Sequence, residues 1–201
     1  MTRPPRAAEA EPEIGGILLA AGEGRRFGGT KQLAELDGRP LLQHAVDAAN
    51  AAAALDRVVV VLGHEAARIR AAVDLGRAEV AVADGWKEGQ AASLREGVRT
   101  AGDADAVVVL LGDQPRLAPD AIDRVLAARG DALAVRARYD RVPGHPVVLA
   151  HPLFSDILRL RGDMGARDLL AHHRVAEVDM GPIDAPQVDV DTPEQLEEMR
   201  R

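Results

Sequence analysis

The chain has 201 residues, 47% of them hydrophobic, which suits one domain built around a single buried core. Its net charge is −7 and its arginines are scattered among acids, whereas a nucleic-acid-binding protein usually has a basic stripe. The absence of cysteine excludes disulfides, thiolate zinc sites and cysteine nucleophiles.

The first residues predict a leader rather than part of the fold. Residues 1–12 are rich in Pro, Ala and Glu, so we expect them to be disordered, with a single domain over residues 13–201. The leader has no apolar signal core, and no apolar run approaches the roughly 18 to 20 residues needed to span a bilayer. We therefore expect a cytoplasmic protein that binds neither membrane nor nucleic acid.

Short apolar runs then alternate with amphipathic segments. The unbroken Val and Leu runs among them are typical of parallel strands covered on both faces. The predicted strands are Gly15 to Leu19, Arg57 to Leu62, Glu79 to Ala83, Ala106 to Leu111 and Ala132 to Val135. One predicted helix begins at Pro40, and three others cover Glu65 to Val73, Ala91 to Arg99 and Pro119 to Arg129.

The alternation is less regular after residue 140. The sequence there predicts a strand over Pro146 to Leu149, a helix over Gly165 to His172 and a strand over Arg174 to Asp179. Thr192 and Gln195 form a capping-box pattern that opens a last helix. The whole pattern predicts an α/β fold, a three-layer α/β/α sandwich whose ligands bind beyond the carboxyl ends of the strands.

A glycine-rich loop leaves the first strand at this binding edge. Residues 18–31, LLAAGEGRRFGGTK, contain four glycines and three cations. Glycines let backbone N–H groups approach phosphate oxygens, and Arg26 and Lys31 can add charge-assisted hydrogen bonds. The alternative is a flexible loop with solvated cations, but its position directly after a buried strand favours phosphate binding.

Two better-known phosphate loops do not fit this segment. A P-loop requires Lys followed by Ser or Thr after its last glycine, whereas Thr30 here precedes Lys31 and no helix is predicted directly after it. The dinucleotide fingerprint fails because Phe27 stands where its third glycine is required.

Three aspartates are candidates for binding a metal ion at the same edge. Asp113 follows the most apolar strand, and Asp189 and Asp191 would face the same way in an extended segment. Magnesium favours one or two carboxylates together with phosphate oxygens and water. Asp191 adjoins the Thr192 cap and could instead stabilise that helix. We slightly favour Asp189 as the second ligand and keep both.

The loop and five further blocks resemble the nucleotidyltransferases that act on the molybdenum cofactor. The loop resembles the family signature L-A-[AG]-G-x-[SG]-x-R-[MF]-G-x-x-K, and residues 111–115, LGDQP, resemble its metal-binding turn. Residues 84–97, 144–147 together with 162–167, and 189–193 are similar to blocks of the cytidylyltransferase branch, in the expected order. The resemblance implies a Rossmann-like nucleotidyltransferase fold with a mostly parallel sheet.

The resemblance also implies a magnesium-dependent reaction that transfers CMP from CTP to the phosphate of molybdopterin. Its catalytic residues would be Arg26, Lys31 and Asp113. The nucleotide would contact Leu19, Ala20, Ala21, Gly22, Glu23, Gly24, Arg26, Lys31 and Ser93. The acceptor would contact His145, Asp163 and Arg167, and a molybdoenzyme or its chaperone would be a transient partner.

Two features of the sequence bear on which nucleotide is used. In the family, A-A-G at residues 20–22 goes with cytidine and A-G-G with guanosine, so Ala21 indicates CTP. However, Gly24 and residues 90–92 stand where the branch usually has serines. The alternatives are GTP as the nucleotide, a sugar phosphate or another phosphorylated small molecule as the acceptor, and a non-catalytic nucleotide sensor or cofactor chaperone. The failed fingerprint weakens a nicotinamide-dependent oxidoreductase. Trp86 is expected near the nucleotide.

Overall fold

The computed structural model describes residues 11–181 and 189–201. Most of the predicted leader therefore lies outside the described residues. The described strands are β1 (Ile14–Ala20), β2 (Glu35–Leu36), β3 (Arg39–Pro40), β4 (Arg57–Leu62), β5 (Glu79–Val82), β6 (Ala106–Leu111), β7 (Ala134–Tyr139), β8 (Val142–Ala150) and β9 (Ala176–Asp179).

Seven of these strands form one sheet in the order β5-β4-β1-β6-β8-β7-β9, and β2 and β3 form a separate hairpin. Within the sheet, β1 pairs in parallel with both β4 and β6, and only β8 runs antiparallel to its neighbours. The mostly parallel sheet is thus confirmed. Because β1 lies next to β6, the loops after these two strands meet at the same edge.

Helices cover both faces of the sheet and complete three layers. They are α1 (Leu41–Ala51), α2 (Ala66–Ala72), α3 (Gln90–Ala101), α4 (Pro119–Ala127), α5 (Phe154–Ile157), α6 (Ala166–Leu170) and α7 (Pro193–Met199). Leu18 of β1 packs in a core with α1, α2 and α4, whereas Ile17 packs in a second core with α3, α5 and α6. Since successive strand residues point to opposite faces, the apolar run of β1 fills both cores.

A small third cluster fixes the end of the chain against the hairpin. Val190 and Leu196 are buried with Leu36 and Leu41, and Phe27 of the glycine-rich loop packs against them. The capping box predicted at α7 is present, with the Thr192 N–H donating to Gln195 Oε1 at 3.0 Å and the Gln195 N–H donating to Thr192 Oγ1 at 3.4 Å. The segment 189–191 is therefore held beside the first loop.

The predicted bounds were too short in the second half of the sheet. The strands expected at residues 132–135 and 146–149 extend to 134–139 and 142–150 and form a hairpin. Arg136 and Arg138 interrupt the apolar pattern of β7, but both pair with acids on β9, the strand at the edge of the sheet. Helix α5 and short 3-10 segments at residues 31–33, 86–88 and 151–153 were missed because they are single turns. None of the helices over residues 11–181 and 189–201 has the length and apolarity to cross a membrane.

Candidate active site

A cavity of about 550 Å³ opens at the carboxyl ends of β1 and β6, where the fold predicts a ligand. Most of the residues predicted from the sequence line it, including all three aspartates. Those predicted residues are Leu19, Ala20, Ala21, Gly22, Glu23, Gly24, Arg26, Lys31, Ser93, Asp113, Asp163, Asp189 and Asp191. Two predicted acceptor residues, His145 and Arg167, are not among its lining.

The glycine-rich loop turns sharply at Gly24. The Gly24 carbonyl accepts hydrogen bonds from the N–H groups of Phe27 and Gly28, both at 3.0 Å. Gly24 has a φ of +71°, and a Cβ at this position would lie 2.2 Å from the carbonyl oxygen of Gly29. The turn therefore requires glycine at this position.

Gln32 supports the same loop from beneath. Its side chain is only 3% exposed, and its Nε2 donates to the carbonyl oxygens of Ala20 at 2.9 Å and Gly22 at 2.8 Å. These two bonds fix the orientation of the Ala20 and Gly22 carbonyls. Gln32 was not predicted from the sequence, although it directly follows Lys31.

Lys31 joins the loop to two of the three aspartates. Its ammonium lies 2.6 Å from Asp113 Oδ2 and 3.0 Å from Asp191 Oδ1, and its side chain is 14% exposed. Burial alone would lower the pKa of Lys31, but the Asp113 and Asp191 carboxylates outweigh it and raise the pKa. Lys31 therefore stays positively charged at the base of the cleft.

Arg26 supplies a second and much more accessible cation. Its guanidinium lies 2.8 Å from Asp191 Oδ2, yet its side chain is 74% exposed. An ion pair this exposed contributes little to stability, so the side chain can exchange partners at low cost. Arg26 is thus free to turn toward an anionic ligand.

The donor set suits a hard divalent cation. Asp113 Oδ1 is buried without a hydrogen-bond partner among the described residues, and the Asp113 carbonyl is fixed by the Val190 N–H at 2.9 Å. Within residues 11–181 and 189–201, no group of three or more His, Cys, Asp and Glu side chains forms a complete metal site. A magnesium ion on Asp113 and Asp191 would take its remaining ligands from water and phosphate.

Asp189 has a different partner from Asp191. Gln114, which is buried, donates from Nε2 to Asp189 Oδ1 at 2.7 Å. Loss of water around this carboxyl, assisted by the charges of Asp113 and Asp191, raises the pKa of Asp189 although the Gln114 bond opposes the shift. Both candidate aspartates line the cavity, but it is Asp191 that converges with Asp113 on a common cation.

Trp86 lines the same cavity, and its expected place near the nucleotide stays a prediction. It lies in the 3-10 segment after β5 and contacts His64 edge to face, with ring centroids 5.2 Å apart. A Cβ at Gly63 would lie 2.7 Å from both Trp86 Cβ and the Ala21 carbonyl. Glycine at this position therefore lets the tryptophan approach the glycine-rich loop. Ser93, on the first turn of α3, lines the same side.

Of the three predicted acceptor residues, only Asp163 lines the cavity. Asp163 lines the cavity next to Gly89, where a Cβ would lie 2.3 Å from Asp163 Oδ1. His145 lies on β8 near the end of β6, and burial lowers its pKa to about 4, with Asp113 opposing the shift. Arg167 is exposed on α6. Their roles toward an acceptor stay predictions.

Relatives of known family have the same fold over nearly the whole chain. Rv0371c of Mycobacterium tuberculosis superimposes with a TM-score of 0.86 at 31% identity, covering 94% of this chain and 98% of that one. A structure of the same protein in complex with manganese gives a TM-score of 0.80 at 30% identity, covering 93% of this chain and 97% of that one.

Two curated relatives are similar over comparable lengths. The purine catabolism protein PucB of Bacillus subtilis is 31% identical, covering 94% of this chain and 97% of PucB. The nicotine blue oxidoreductase of Paenarthrobacter nicotinovorans is also 31% identical, covering 92% of this chain and 95% of that protein. Residues 16–178 match the MobA-like NTP transferase domain. With a glycine-rich loop, two cations and the aspartates in one cleft, the chain belongs to the family of MobA-like NTP transferase domains and is a nucleotidyltransferase by family.

Proposed function

We propose that this protein transfers CMP from CTP to the phosphate of molybdopterin and releases pyrophosphate, in a magnesium-dependent reaction in the cytoplasm. One observation carries the proposal. The loop of residues 19–24, the cations Arg26 and Lys31, and the carboxylates of Asp113 and Asp191 converge on one cavity. Backbone donors, cations and carboxylates are the groups that a metal–triphosphate complex requires.

The triphosphate would lie along the glycine-rich loop. Backbone N–H groups and the guanidinium of Arg26 would bind the phosphate oxygens, and Lys31 would stabilise the charge of the departing pyrophosphate. A divalent cation held by Asp113 and Asp191 would neutralise charge at the α-phosphate. Asp189, held by Gln114, lies beside them and would orient water bound to that ion.

The acceptor phosphate needs no general base because it is already an anion. One of its oxygens forms a bond to the α-phosphorus, the bond from that phosphorus to the bridging oxygen breaks, and pyrophosphate leaves. Positioning and charge neutralisation are the contributions the protein can make. Asp163, His145 and Arg167 are the candidates for holding the acceptor.

CTP is supported by Ala21, which lines the cavity together with Trp86 and whose methyl group would crowd a purine. A methyl-sized effect is worth only about 1 to 3 kcal/mol, so discrimination against GTP would be moderate. The position of Gly24, where the resembled branch usually has serine, has no room for a side chain in this turn.

The experiment is a pyrophosphate-release assay with product mass determination. Purified protein receives CTP or GTP, Mg²⁺ and one acceptor from a panel that includes molybdopterin and sugar 1-phosphates. We expect release with CTP and molybdopterin. Release only with a sugar phosphate, or only with GTP, would replace the substrate assignment. Tight nucleotide binding without release under every condition would indicate a sensor. Because one relative is an oxidoreductase by name, an arm with NADH checks for its oxidation.

A matched pair of variants tests the site itself. Asp113→Asn removes a carboxylate at one end of β6 and should lower turnover by about 100- to 1000-fold, as expected for loss of an electrostatic stabiliser. Asp103→Asn alters an exposed aspartate before the opposite end of the same strand and should leave turnover unchanged. Equal activities of the two variants would remove Asp113 from the reaction.

A further inference from the structure

The Lys31 ammonium lies where the two carboxylates of the proposed metal site meet. It donates to Asp113 Oδ2 at 2.6 Å and to Asp191 Oδ1 at 3.0 Å. A divalent cation that bridges the two carboxylates at this point would need the same pair of oxygens, whereas Asp113 Oδ1 has no hydrogen-bond partner among the described residues. Because a carboxylate oxygen cannot be the close ligand of a metal ion while an ammonium lies between it and its partner, the two cations compete for one position.

The charges in this part of the cleft require some cation at all times. Two carboxylates that face a common point in a partly buried site repel each other unless a positive charge lies between them. Lys31 supplies that charge when no metal is bound. Arg26 contributes from the solvent side of Asp191 but does not contact Asp113 in the described structure.

We propose that Lys31 holds the metal position in the nucleotide-free protein and leaves it for the phosphates of an incoming nucleotide, so that metal enters only together with nucleotide. This inference rests on the proposed function, in which Lys31 and the metal act on the same triphosphate. It adds an order of binding, and it gives Lys31 two alternating partners rather than one.

The geometry of Lys31 allows the exchange. Its side chain has four rotatable methylene links, and it starts the 3-10 segment of residues 31–33 directly after the glycine-rich loop. The same loop would present the triphosphate within reach of the ammonium. Phosphate oxygens then replace the carboxylate oxygens as acceptors, and the vacated carboxylates take the metal.

The simpler alternative is that Lys31 is a permanent structural partner of Asp113. Under that alternative, removing the Lys31 charge damages the site and does not improve metal binding. Under the exchange, removing the charge frees both carboxylates for metal in the absence of any nucleotide. The structural alternative and the exchange therefore predict different effects of removing the Lys31 charge on the affinity for the metal ion: no gain under the first and a gain under the second.

The test measures Mn²⁺ binding in the absence of nucleotide. The electron paramagnetic resonance signal of free Mn²⁺ reports how much of the ion is bound. Lys31→Met removes the charge at nearly constant length and should bind Mn²⁺ at least about tenfold more tightly than the wild type. Lys31→Arg keeps a cation and should bind as weakly as the wild type. Lys87→Met alters a lysine over the Trp86 ring in the same cavity and should also match the wild type.

Two further readouts keep the test decisive. Adding Asp113→Asn to Lys31→Met should abolish the gain, which ties the gain to this site. Mn²⁺ should raise the melting temperature of Lys31→Met more than that of the wild type, because an ion bound only by the folded state stabilises it. The exchange is overturned if Lys31→Met binds Mn²⁺ no more tightly than the wild type does. It is also overturned if Lys31→Met is unfolded and stays unfolded when Mn²⁺ is added.

Failure of the proposed function would look different. The Mn²⁺ titration contains neither nucleotide nor acceptor, whereas the proposed function is judged by pyrophosphate release from wild-type protein. Tight Mn²⁺ binding by Lys31→Met with no release from any acceptor would reject the reaction and retain the exchange of cations. Release by the wild type without the gain in Mn²⁺ affinity would reject only the exchange.

Discussion

The side-chain amide of Gln32 donates a hydrogen bond to the carbonyl oxygen of Gly22 at 2.8 Å, from a position beneath the loop that carries the proposed phosphate site. The same amide reaches the Ala20 carbonyl at 2.9 Å. A single side chain, which itself lines the cavity, thus holds two carbonyl groups of the loop in hydrogen bonds. Since backbone carbonyls repel phosphate, their engagement by Gln32 leaves the N–H groups of the loop for the ligand.

We therefore expect Gln32→Met to weaken nucleotide binding through loop geometry. The variant keeps the volume of the side chain but leaves two carbonyls without their donor. The KM for nucleotide should rise by about tenfold, equivalent to about 1.4 kcal/mol, and the free energy of unfolding should fall by about 1 to 3 kcal/mol. Steady-state kinetics and urea denaturation measure the two effects.

Gln43→Met is the matched control. Gln43 is also buried, and its amide bonds Asp74 through both the backbone N–H and the carbonyl, each at 2.7 Å. Gln43 is not among the residues that line the cavity. Its loss should lower stability by a similar amount and leave the KM unchanged. A rise in KM for both variants would mean that lost stability, not loop geometry, explains the effect.

Much of the site was predictable because the sheet edge concentrates it. The buried run of β6 ends at Leu111, so Asp113 had to lie at the carboxyl edge beside the loop after β1. The sequence alone does not report contacts between side chains distant along the chain. The preference for Asp189 over Asp191 stays a prediction, and the sequence could not show that Lys31 bonds Asp191 and Gln114 bonds Asp189.

The hairpin of β7 and β8 was underestimated for a related reason. Periodicity recognises a strand by its apolar residues, whereas Arg136 and Arg138 are stabilised by Glu177 and Asp179 on a neighbouring strand. Such pairing depends on tertiary structure and has no signal within the strand itself. Gln32 went unnoticed likewise, because a buried glutamine resembles a surface glutamine until its partners are known.

Gly24→Ser tests whether the departure from the usual serine is required by this loop. The φ is +71°, and the Gly29 carbonyl oxygen would lie 2.2 Å from a Cβ added at Gly24, so there is no room for any side chain. We expect a loss of about 1 to 3 kcal/mol in stability, or a rearranged loop with a higher KM for nucleotide. Thermal unfolding and kinetics would detect either one.

Gly29→Ser is the control for this substitution. Gly29 lies in the same loop, does not have a positive φ, and has open space around its Cβ position. It should retain wild-type stability. If Gly24→Ser is as stable and as active as Gly29→Ser, the loop adopts another conformation in solution and the steric argument is wrong.

Trp86 is the sole tryptophan and reports directly on the cavity it lines. Titration with CTP and Mg²⁺ should change its emission, because the nucleotide would displace water from the face of the indole ring. Titration with CTP alone should produce a smaller change if metal and nucleotide bind together. A flat titration at millimolar CTP would argue that the base lies elsewhere. Trp86→Phe supplies the background signal.

His145 should make stability depend on pH over a defined window. Burial lowers its pKa from 6.5 to about 4 in the folded protein, while the Asp113 charge acts in the opposite direction. The Tyr139 hydroxyl donates to the His145 carbonyl at 2.9 Å and fixes this part of β8. Between pH 4 and 6.5 the unfolded chain therefore binds more protons at His145 than the folded protein does.

The sign follows from this difference in proton binding. The contribution of His145 to the free energy of unfolding is complete above pH 6.5 and disappears as the pH falls to about 4. Its upper limit is about 3 kcal/mol. Urea denaturation of wild type and His145→Gln at pH 4.5 and 7.5 isolates the contribution of His145 to the free energy of unfolding, because the variant keeps the carboxylates and their pH dependence. An identical loss of stability on acidification in both proteins would show that the His145 imidazole is charged as readily in the folded chain as in the unfolded one.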